Sequence, residues 1–551
     1  MACETYDFVI VGSGASSVAA ALKIKEAGKT ALIIEKREFF GGSTALSGGV
    51  IWIPCNSVQR EAGVADTPEQ ASAYLDACAG PHSKGSSAAR RSAFLEEGPK
   101  AIDFLRAHGM KLVHAATYSD YHETVYPGGN AGGRAIVPAI FDLNELGEDA
   151  RRIDWSPDNP PLMTHETGRL MLFGRGWDSK KIVARIGLRM LRNKLFGSKL
   201  IGHGNSLQGR LLQIARREGL NLWMETSVTG LVTSGARVTG VTVERDGETL
   251  IVEARDGVLL NAGGFARNPD MRRELLPGPD DVEWTISNRG DTGEVLQMAI
   301  DMGADTENTD LAWWVPGTFP PSGESHVIVF DYARPHAIVV DQQGERYTNE
   351  ATSYVQIGLN IWKRQQTAPA VPSWVIIDSR HRKRYMFASA LPGKTPDDWV
   401  SSGYMKQAGT LEDLAAQCDL PPDKLKATVE RFNGFAREGV DHDFGRGVGA
   451  YPRYLGDPTH KPNPSLGTIE EPPFMAFQLW PRDVGTCGGL VTDEHARVLK
   501  EDGSVIPGLY ATGNTTSSVH GPSYPGAGAS IGASLTFGFI AAKHAARGNE
   551  C

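Results

Sequence analysis

Residues 6–35, YDFVIVGSGASSVAAALKIKEAGKTALIIE, decide the fold of this chain. The first six residues are nearly all apolar and predict a buried strand, and residues 18–27 follow with the period of a helix. Residues 30–34 (TALII) predict a second strand, which ends at an acidic residue, Glu35. A glycine-rich turn joins the first strand to the helix, so the stretch predicts a βαβ unit of an α/β fold with a phosphate-binding turn.

The turn in this unit has the residue types that a Rossmann-like dinucleotide site needs. Gly12 permits a tight turn after the strand, and Gly14 lets the backbone approach a pyrophosphate at the N-terminus of the helix. Glu35 can accept hydrogen bonds from ribose hydroxyls. Ser17 stands where a third glycine is usual, which is a small departure. The alternative is a turn of the same shape that binds no ligand.

Further stretches of small residues favour FAD over a nicotinamide cofactor. Residues 41–44 (GGST) and 47–49 (SGG) follow Glu35, while residues 259–264 (LLNAGG) and 508–513 (GLYATG) each carry a strand into glycines. One long cofactor can lie against the backbone at these separated points. No histidine or cysteine lies in an obvious flavin-linking context, so we expect noncovalent FAD. The candidate cofactor-binding residues are Gly12, Gly14, Ala15, Ser16, Glu35, Lys36, Gly42, Ser43, Thr44, Ser47, Gly48, Gly49, Ala262, Gly263, Gly513, Asn514, Ser530 and Ile531.

Composition excludes several classes of protein. The 551 residues are 41% hydrophobic and 22% charged, as in an ordinary globular protein, and a net charge of −9 argues against a nucleic-acid partner. The six cysteines show no CxxC spacing and no cluster with histidines, so we expect reduced thiols and no metal site. No apolar run of about 18 residues predicts a spanning helix, and no signal-peptide pattern is present. We therefore expect a cytoplasmic protein.

Residues 520–528 (HGPSYPGAG) form a second candidate site near the end of the sequence. The hydroxyl of Tyr524 and the amide of Gly528 can point at one ligand oxygen and act as an oxyanion hole. Residues 529–546 are small and apolar, and predict a buried helix directly after the turn. A surface turn rich in Pro and Gly is the alternative, but a turn that enters a buried helix favours a ligand site.

Three tyrosine motifs resemble those of one flavoprotein family. They are residues 119–121 (SDY), 344–354 (GERYTNEATSY) and 523–528 (SYPGAG). On these motifs the chain resembles, over nearly its whole length, the fumarate-reductase-like flavoproteins and within them the 3-ketosteroid Δ1-dehydrogenases. Fumarate reductases place an arginine where Tyr524 stands and a glutamate where Asn514 stands. Both differences favour dehydrogenation of a ketone.

The resemblance implies a role for each candidate catalytic residue. Removing vicinal hydrogens beside a ketone needs a hold on the carbonyl oxygen, a base for the proton, and a flavin N5 that accepts the hydride. Tyr524 and Gly528 suit the first role. The resemblance implies that Tyr354 is the base and that Tyr121 supplies a hydrogen bond to it. Any single tyrosine alone would more often be a packed core residue, but three motif matches favour the catalytic assignment.

The resemblance also implies a discontinuous, Rossmann-like FAD-binding domain with an inserted α+β substrate, or catalytic, domain. Residues 1–310 and 484–551 would form the first domain, and residues 311–483 the second. Residues 150–203 are an expected insertion in the first domain.

The insertion contains a basic amphipathic segment, residues 179–200, with seven lysines and arginines and no acidic residue. Such a helix in an acidic protein is typical of an element that lies on a membrane surface. We therefore expect peripheral contact with the inner face of the membrane. The alternative is a helix whose apolar face packs on the protein while its basic face is solvated.

The primary functional prediction is an FAD-dependent dehydrogenase that introduces a C1–C2 double bond into a 3-ketosteroid. Alternatives are dehydrogenation of a 5α-steroid at the 4,5 position or of another cyclic ketone, reduction of an α,β-unsaturated acid, and flavin binding without turnover. The expected partners are a steroid or other cyclic ketone as substrate. No second dinucleotide motif follows a predicted strand, so we expect electrons to pass to an external acceptor such as a quinone.

Overall fold

The computed structural model describes residues 3–323, 326–388 and 390–548. Contacts divide the chain into two compact units, each built from separate segments. The first unit comprises the residues up to His165, Leu188–Trp313, and the residues from Val484 onward, and the second comprises Glu166–Gly187 and Trp314–Asp483. The sequence prediction placed residues 150–203 wholly in the first unit, whereas this division assigns Glu166–Gly187 to the second.

The strands of the described residues are mostly short, and the two longest, Glu248–Leu260 and Phe474–Thr486, have 13 residues each. They are β1 Cys3–Val11, β2 Ala31–Ile34, β3 Ile51–Trp52, β4 Leu112–His114, β5 Ala135–Pro138, β6 Phe141–Asp142, β7 Leu200–Ile201, β8 Asn221–Trp223, β9 Ser227–Ser234, β10 Arg237–Arg245, β11 Glu248–Leu260, β12 Thr306–Glu307, β13 Ala312–Thr318, β14 His326–Val327, β15 Ala337–Val340, β16 Ser373–Ile377, β17 Lys406–Ala408, β18 Phe474–Thr486, β19 Gly489–Leu490, β20 Arg497–Leu499 and β21 Val505–Ala511.

The α-helices of the described residues range from single turns to five or more turns. They are α1 Ser17–Glu26, α2 Gly42–Leu46, α3 Ser57–Glu61, α4 Pro68–Ala79, α5 Ala88–Ala107, α6 Thr167–Leu170, α7 Trp177–Phe196, α8 His203–Arg217, α9 Pro269–Leu275, α10 Glu294–Asp301, α11 Tyr354–Gln365, α12 Ser379–Arg384, α13 Asp398–Ser401, α14 Leu411–Gln417, α15 Pro422–Glu438, α16 Ala450–Leu455 and α17 Ala529–Ala546.

The first unit is built on a sheet with the strand order β20-β21-β11-β1-β2-β8. Strand β1 runs parallel to β11 and to β2, and β21 runs parallel to β11. Phe8, Val9 and Ile10 of β1 are fully buried, as expected for a parallel strand covered on both faces. Helices α1 and α17 pack against each other and contact this sheet. The carboxyl ends of β1, β11 and β21 therefore meet at one edge.

The second unit contains a sheet with the strand order β14-β13-β18-β16-β15, and β17 pairs with β18. Strands β15, β16 and β18 pair antiparallel. Their apolar side chains pack with those of α14 and α15 into one core, which includes Ile338, Ile376, Leu414 and Phe432. This is an α+β arrangement, since these paired strands are antiparallel and the helices α14 and α15 pack on them.

The strongly periodic segments fold as the sequence predicts. The first βαβ unit is β1, α1 and β2, and the helix predicted over residues 529–546 is α17. The basic segment predicted over residues 179–200 differs, because α7 runs from Trp177 to Phe196 and Leu200 belongs to strand β7. Gly197 has a φ of +64°, a left-handed conformation that ends the helix there.

Candidate functional site

The phosphate-binding turn lies where β1 and β11 end side by side. Gly12 has a φ of +98°, and a Cβ at this position would lie 2.3 Å from the carbonyl oxygen of Asn261. Asn261 N–H donates to the carbonyl of Val11 over 2.8 Å, which fixes this close approach. Only glycine fits at position 12. A Cβ on Gly14 would lie 3.1 Å from the Asn261 side chain, so the turn is also narrow there.

Glu35, which follows β2, holds the turn through hydrogen bonds. One carboxylate oxygen accepts from Ser13 N–H over 3.0 Å and from Ser13 Oγ over 2.6 Å. The other accepts from Arg37 N–H over 2.9 Å. The Lys36 side chain reaches the N-terminus of α10, where its Nζ lies 3.1 Å from the carboxylate of Glu294. Glu35 is the predicted ribose contact, and its hydrogen bonds also hold the phosphate-binding turn in place.

Several buried polar atoms around the turn have no hydrogen-bond partner among the described residues. They are Ser16 Oγ, Asn261 Nδ2, and both ends of the Gln208 side-chain amide. Buried polar atoms of this kind are normally satisfied. A cofactor with phosphate, ribose and adenine groups supplies the missing donors and acceptors. The residues therefore fit FAD at this edge of the sheet.

The segment after Glu35 carries Gly42, Ser43, Thr44, Ser47, Gly48 and Gly49 in and around α2. Gly49 has a φ of +65°, and a Cβ there would lie 2.7 Å from the carbonyl oxygen of His203. Its N–H donates to Ser47 Oγ over 2.9 Å, and Ser47 Oγ donates to the Thr44 carbonyl over 2.7 Å. These bonds hold the backbone in a compact turn on the same unit as the phosphate-binding turn.

Asp291 was not predicted from the sequence, yet it contacts two predicted cofactor residues. Its Oδ2 accepts from Ser43 Oγ over 2.7 Å, and its Oδ1 lies 2.3 Å from where a Cβ on Gly263 would be. Burial raises the pKa of this carboxyl to about 7. The polar turn RGDTG at residues 289–293, directly before α10, was the available signal. Ala262 and Gly263 follow the end of β11, at the same edge.

A small open cleft lies beside the N-terminal half of α17. Gly513, Asn514 and Ser530, all predicted cofactor residues, line it together with Arg90 and Trp313. Ile531 follows in the first turn of α17. Trp313 Nε1 donates to Asn514 Oδ1 over 3.2 Å, which fixes the asparagine side chain.

Arg90 is a second residue that sequence analysis did not identify. Its guanidinium is fully buried, donates to the carbonyl of Ser517 over 3.0 Å, and lies 4.6 Å above the ring of Phe537. Burial lowers its pKa to about 10. Its guanidinium also donates to the carbonyl of Gly85. Nothing local in the sequence around residue 90 distinguishes it from an ordinary helical arginine.

Two of the three predicted catalytic tyrosines lie together in the first unit. The rings of Tyr121 and Tyr524 have centroids 6.2 Å apart at an angle of 29°, and Trp313 meets the Tyr524 ring edge to face at 4.9 Å. The Tyr524 hydroxyl lies 3.0 Å from Ser530 Oγ and accepts from Ser530 N–H over 3.5 Å. The Tyr524 hydroxyl and Ser530 Oγ can each donate to the other.

Gly528 sits at the N-terminus of α17 with a φ of +89°. A Cβ at this position would lie 2.1 Å from the carbonyl oxygen of Val50, so no other residue fits. Its own carbonyl accepts from Trp52 N–H over 3.1 Å. The amide of Gly528 therefore belongs to a rigid turn at the positive end of a long buried helix. A developing negative charge is stabilised at such a position.

Tyr354 is the first residue of α11, in the second unit, and is partly buried. Ser353 caps the helix by accepting from Gln356 N–H over 3.2 Å. The charged residues of the motif upstream have a structural role, because Arg346 pairs with Glu350 at 2.8 Å and with Asp441 at 3.0 Å. This buried network fixes the segment that leads into the helix.

Helix α7 exposes more apolar surface than its sequence suggested. Ser179 and Ile186 are its buried residues. The opposite face carries Trp177, Leu188, Leu191 and Leu195, which are 77%, 67%, 48% and 64% exposed.

Two of the basic residues of α7 bind the protein itself. Arg185 pairs with the buried carboxylate of Glu166 at 3.0 Å, and Arg189 donates to the carbonyl of Pro161 over 3.1 Å. Lys180, Lys181 and Arg192 are exposed, and flank the apolar stripe on the outward face.

Across residues 3–323, 326–388 and 390–548, no group of three or more potential metal ligands is present. Within the same ranges, no helix is long and apolar enough to cross a membrane. The described cysteines, Cys55, Cys78, Cys418 and Cys487, are free thiols.

A parallel sheet whose strands end at glycine turns, with unpartnered polar atoms around them, defines a dinucleotide-binding flavoprotein. The model of the family described as FAD binding domain matches residues 7–531. The 3-oxosteroid 1-dehydrogenase of Mycolicibacterium smegmatis is 39% identical over 98% of this chain and 97% of its own length. The 4-oxocyclohexanecarboxylate 2-dehydrogenase of Sinomonas cyclohexanicum is 34% identical over 98% of this chain and 92% of its own length.

A solved structure gives the same result. The crystal structure of 3-ketosteroid delta1-dehydrogenase from Sterolibacterium denitrificans, in complex with 1,4-androstadiene-3,17-dione, has a TM-score of 0.90 and 35% identity to this chain. The match covers 99% of this chain and 100% of that one. The chain therefore belongs to the FAD binding domain family of flavoproteins, among its 3-oxosteroid 1-dehydrogenase-like members. The predicted resemblance, the α/β fold and FAD as cofactor of an oxidoreductase are confirmed.

Proposed function

We propose that this enzyme dehydrogenates a 3-ketosteroid between C1 and C2. The observation that carries the proposal is the contact of the Tyr524 hydroxyl with Ser530, in the first turn of the helix that Gly528 caps, in a protein of the FAD binding domain family. A ketone oxygen held by these two donors gains stabilisation as it becomes an enolate oxygen. Relatives named for dehydrogenation of 3-oxosteroids support the substrate class.

In the proposed mechanism each residue acts on one atom of the substrate. Tyr524, polarised by Ser530, donates its hydroxyl proton in a hydrogen bond to the C3 oxygen, and the Gly528 amide donates a second one. This makes the C2 proton more acidic, and Tyr354 removes it as general base, with Tyr121 as hydrogen-bond partner of that base. FAD, which Gly12, Gly14 and Glu35 would help to hold, would supply the two-electron acceptor for the hydrogen that leaves C1.

The aromatic side chains around Tyr524 support a flat, apolar substrate. Trp313 and Tyr121 pack against the Tyr524 ring, and Tyr121 and Tyr524 are each nearly buried. Such a surface excludes water from the ketone oxygen, which strengthens the two hydrogen bonds to it. A panel of steroids with a dye acceptor tests the proposal: a 1,4-diene-3-one product is expected, and no turnover of any 3-ketosteroid would reject it.

Dehydrogenation of a smaller cyclic ketone is the second candidate. The relative named 4-oxocyclohexanecarboxylate 2-dehydrogenase also carries a name for desaturation beside a ring ketone, and the same clamp and base would serve it. Including that acid and a 5α-reduced 3-ketosteroid in the panel separates the alternatives. A higher kcat/KM for either one than for any 4-ene-3-ketosteroid would favour it.

We also propose that residues 1–310 and 484–551 hold the cofactor and residues 311–483 supply the substrate domain. The predicted cofactor residues described above all lie in residues 1–310 or 484–551, and Tyr354 lies in residues 311–483. Noncovalent FAD and an external acceptor such as a quinone complete the proposal. Release of free FAD on denaturation and reoxidation by a soluble quinone would test both.

We propose, further, that α7 contacts an anionic membrane surface from the cytoplasmic side. The support is its outward stripe of Trp177, Leu188, Leu191 and Leu195, flanked by Lys180, Lys181 and Arg192. A helix lies in the interface with its apolar face toward the acyl chains and its basic residues at the headgroups. Each basic residue near the surface contributes about 1 kcal/mol.

The test compares two variants in sedimentation with vesicles containing anionic lipid. Substituting serine for Leu188, Leu191 and Leu195 should abolish binding, while Arg185 and Arg189, which bind the protein itself, stay unchanged. As a control, Lys363→Glu, Lys383→Glu and Lys394→Glu remove exposed basic charge elsewhere on the chain. Binding of wild type that falls with salt, and survives in the control, is expected. Equal binding of all three proteins, or none by wild type at low salt, would contradict the proposal.

A further inference from the structure

Two segments of the first unit carry the candidate groups around the ketone oxygen. Residues 119–122 (SDYH) contain Tyr121, and residues 523–528 (SYPGAG) contain Tyr524 and Gly528. One backbone hydrogen bond joins them directly, from Tyr121 N–H to the carbonyl of Pro525 over 3.0 Å. The rings of Tyr121 and Tyr524 also stack on each other. Further hydrogen bonds to both segments would fix their relative orientation more firmly than these contacts alone.

Tyr74 of α4 supplies one such contact through its hydroxyl. The hydroxyl donates to the carbonyl of Pro525 over 2.6 Å and accepts from the N–H of His122 over 3.1 Å. Both partners are the chain neighbours of a candidate catalytic tyrosine. The Tyr74 side chain is fully buried, and burial raises its pKa well above 10, so the hydroxyl keeps the proton that it donates.

Trp52 of β3 bridges the same two segments at a second point. Its backbone N–H donates to the Gly528 carbonyl over 3.1 Å, and its indole Nε1 donates to Asp120 Oδ1 over 2.8 Å. Arg134 pairs closely with the other oxygen of Asp120 and with Asp66 at 2.7 Å. These bonds to Trp52 and Arg134 fix the position of Asp120, and thereby restrict the backbone of the adjacent Tyr121.

We propose that Tyr74 is a positioning residue that sets the orientation of the Tyr121 and Tyr524 segments, with Trp52 as its counterpart at Gly528. The inference rests on the proposed function of Tyr524 and Gly528 as the ketone clamp. Tyr74 acts through two backbone bonds and is not assigned a contact with substrate or cofactor. Its loss would let the two segments shift relative to each other, and a displacement of about 1 Å in a reacting geometry can cost on the order of a hundredfold in rate.

The test uses the FAD-loaded enzyme and two matched tyrosine variants. Tyr74→Phe removes the bridging hydroxyl and retains the ring. Tyr510→Phe removes a hydroxyl of similar burial that lies 2.9 Å from His544 Nδ1, away from both segments. We expect kcat with a 3-ketosteroid to fall between about tenfold and a hundredfold in the first variant, with KM changed less than about threefold. Tyr510→Phe should stay within about twofold of wild type in kcat.

A second readout separates positioning from simple loss of stability. Exchange of the C2 protons of the ketone with solvent deuterium, followed by NMR, reports enolisation without hydride transfer. It should slow in Tyr74→Phe by a factor similar to that in kcat, while flavin content stays at that of wild type. A purely structural role would lower the melting temperature of both variants alike and leave the exchange rate of the folded enzyme unchanged, which would overturn the inference.

The outcomes also separate this inference from the function on which it rests. Wild type that turns over no 3-ketosteroid overturns the proposed function and the inference with it. Wild type that is active, beside an equally active Tyr74→Phe, overturns the inference alone. If Tyr74→Phe does not fold, Trp52→Phe removes the indole N–H while keeping a ring against Phe94, whose centroid lies 6.0 Å away. The same fall in kcat and in exchange is then expected, and its absence overturns the inference.

Discussion

Replacing Tyr524 by phenylalanine removes one donor from the proposed ketone clamp and little else. The ring keeps its contacts, since Trp313 lies 4.9 Å away and Tyr121 6.2 Å away between centroids. The bonds lost include those of the hydroxyl with Ser530, at 3.0 Å to Oγ and 3.5 Å to N–H. Folding and FAD content should therefore remain close to those of wild type.

The expected effect on catalysis follows from the role of a single oxyanion donor. Removing one such donor typically costs on the order of 10²–10³ in kcat, or about 2.7–4 kcal/mol of transition-state stabilisation. Because the bond strengthens as charge develops on the oxygen, kcat and kcat/KM should fall by the same factor. The assay is steady-state turnover of androst-4-ene-3,17-dione with a dye acceptor, at matched flavin concentration.

The matched control for this experiment is Tyr510→Phe, which loses a hydroxyl remote from the clamp. The kcat of Ser530→Ala should lie between those of wild type and Tyr524→Phe. This variant removes the hydroxyl that orients the Tyr524 phenol but leaves the phenolic donor in place. A Tyr524→Phe enzyme with turnover within about threefold of wild type would refute the reasoning, since a donor of the oxyanion cannot be removed at so small a cost.

Three further predictions follow from the same contacts. Glu35→Ala should weaken FAD binding by about 1.5–3 kcal/mol, because it removes the ribose contact and the hydrogen bonds to Ser13. Titration of the apoenzyme with FAD measures this loss, and an unchanged dissociation constant would exclude Glu35 as a ribose contact. Tyr354→Phe should abolish turnover and C2 proton exchange but retain FAD, and normal exchange would transfer the role of base to Tyr121. Burial raises the pKa of Asp120 to about 6, so its contribution to stability declines as pH rises from about 4 through 6. The unfolding free energy of wild type relative to Asp120→Asn should fall by about 3 kcal/mol across that window, at about 1.4 kcal/mol per pKa unit, and a flat difference in denaturant titrations would refute it.

The sequence was sufficient for elements whose signal is local. Strand β1, helix α1 and strand β2 follow from hydrophobic period and a glycine turn, and α17 follows from an unbroken apolar run. The meeting of Gly12, Ala262 and Gly513 at one edge of a sheet could also be expected, because parallel strands present their carboxyl ends together. Tyr121 and Tyr524 are distant in sequence, and only the family motif suggested that they belong to one site.

Other residues could not be predicted because their roles depend on tertiary burial. Arg90 and Tyr74 have ordinary neighbours in sequence, and Asp291 is marked only by the polar turn around it. All three gain their roles from the carbonyls, hydroxyls and rings that surround them in the fold. For helix α7, the sequence did not indicate which face packs on the protein. Its sequence has apolar residues on two sides, and which side faces the protein is decided by the contacts of Ile186, Arg185 and Arg189.

The most direct test of the central claim is anaerobic mixing of the purified enzyme with androst-4-ene-3,17-dione. The oxidised flavin absorption should bleach in a single turnover, and the product should be 1,4-androstadiene-3,17-dione in an amount equal to the flavin reduced. The Tyr524→Phe enzyme should bleach on the order of 10²–10³ more slowly to the same end point. A flavin that stays oxidised, or a product with its new double bond elsewhere than C1–C2, would contradict the account.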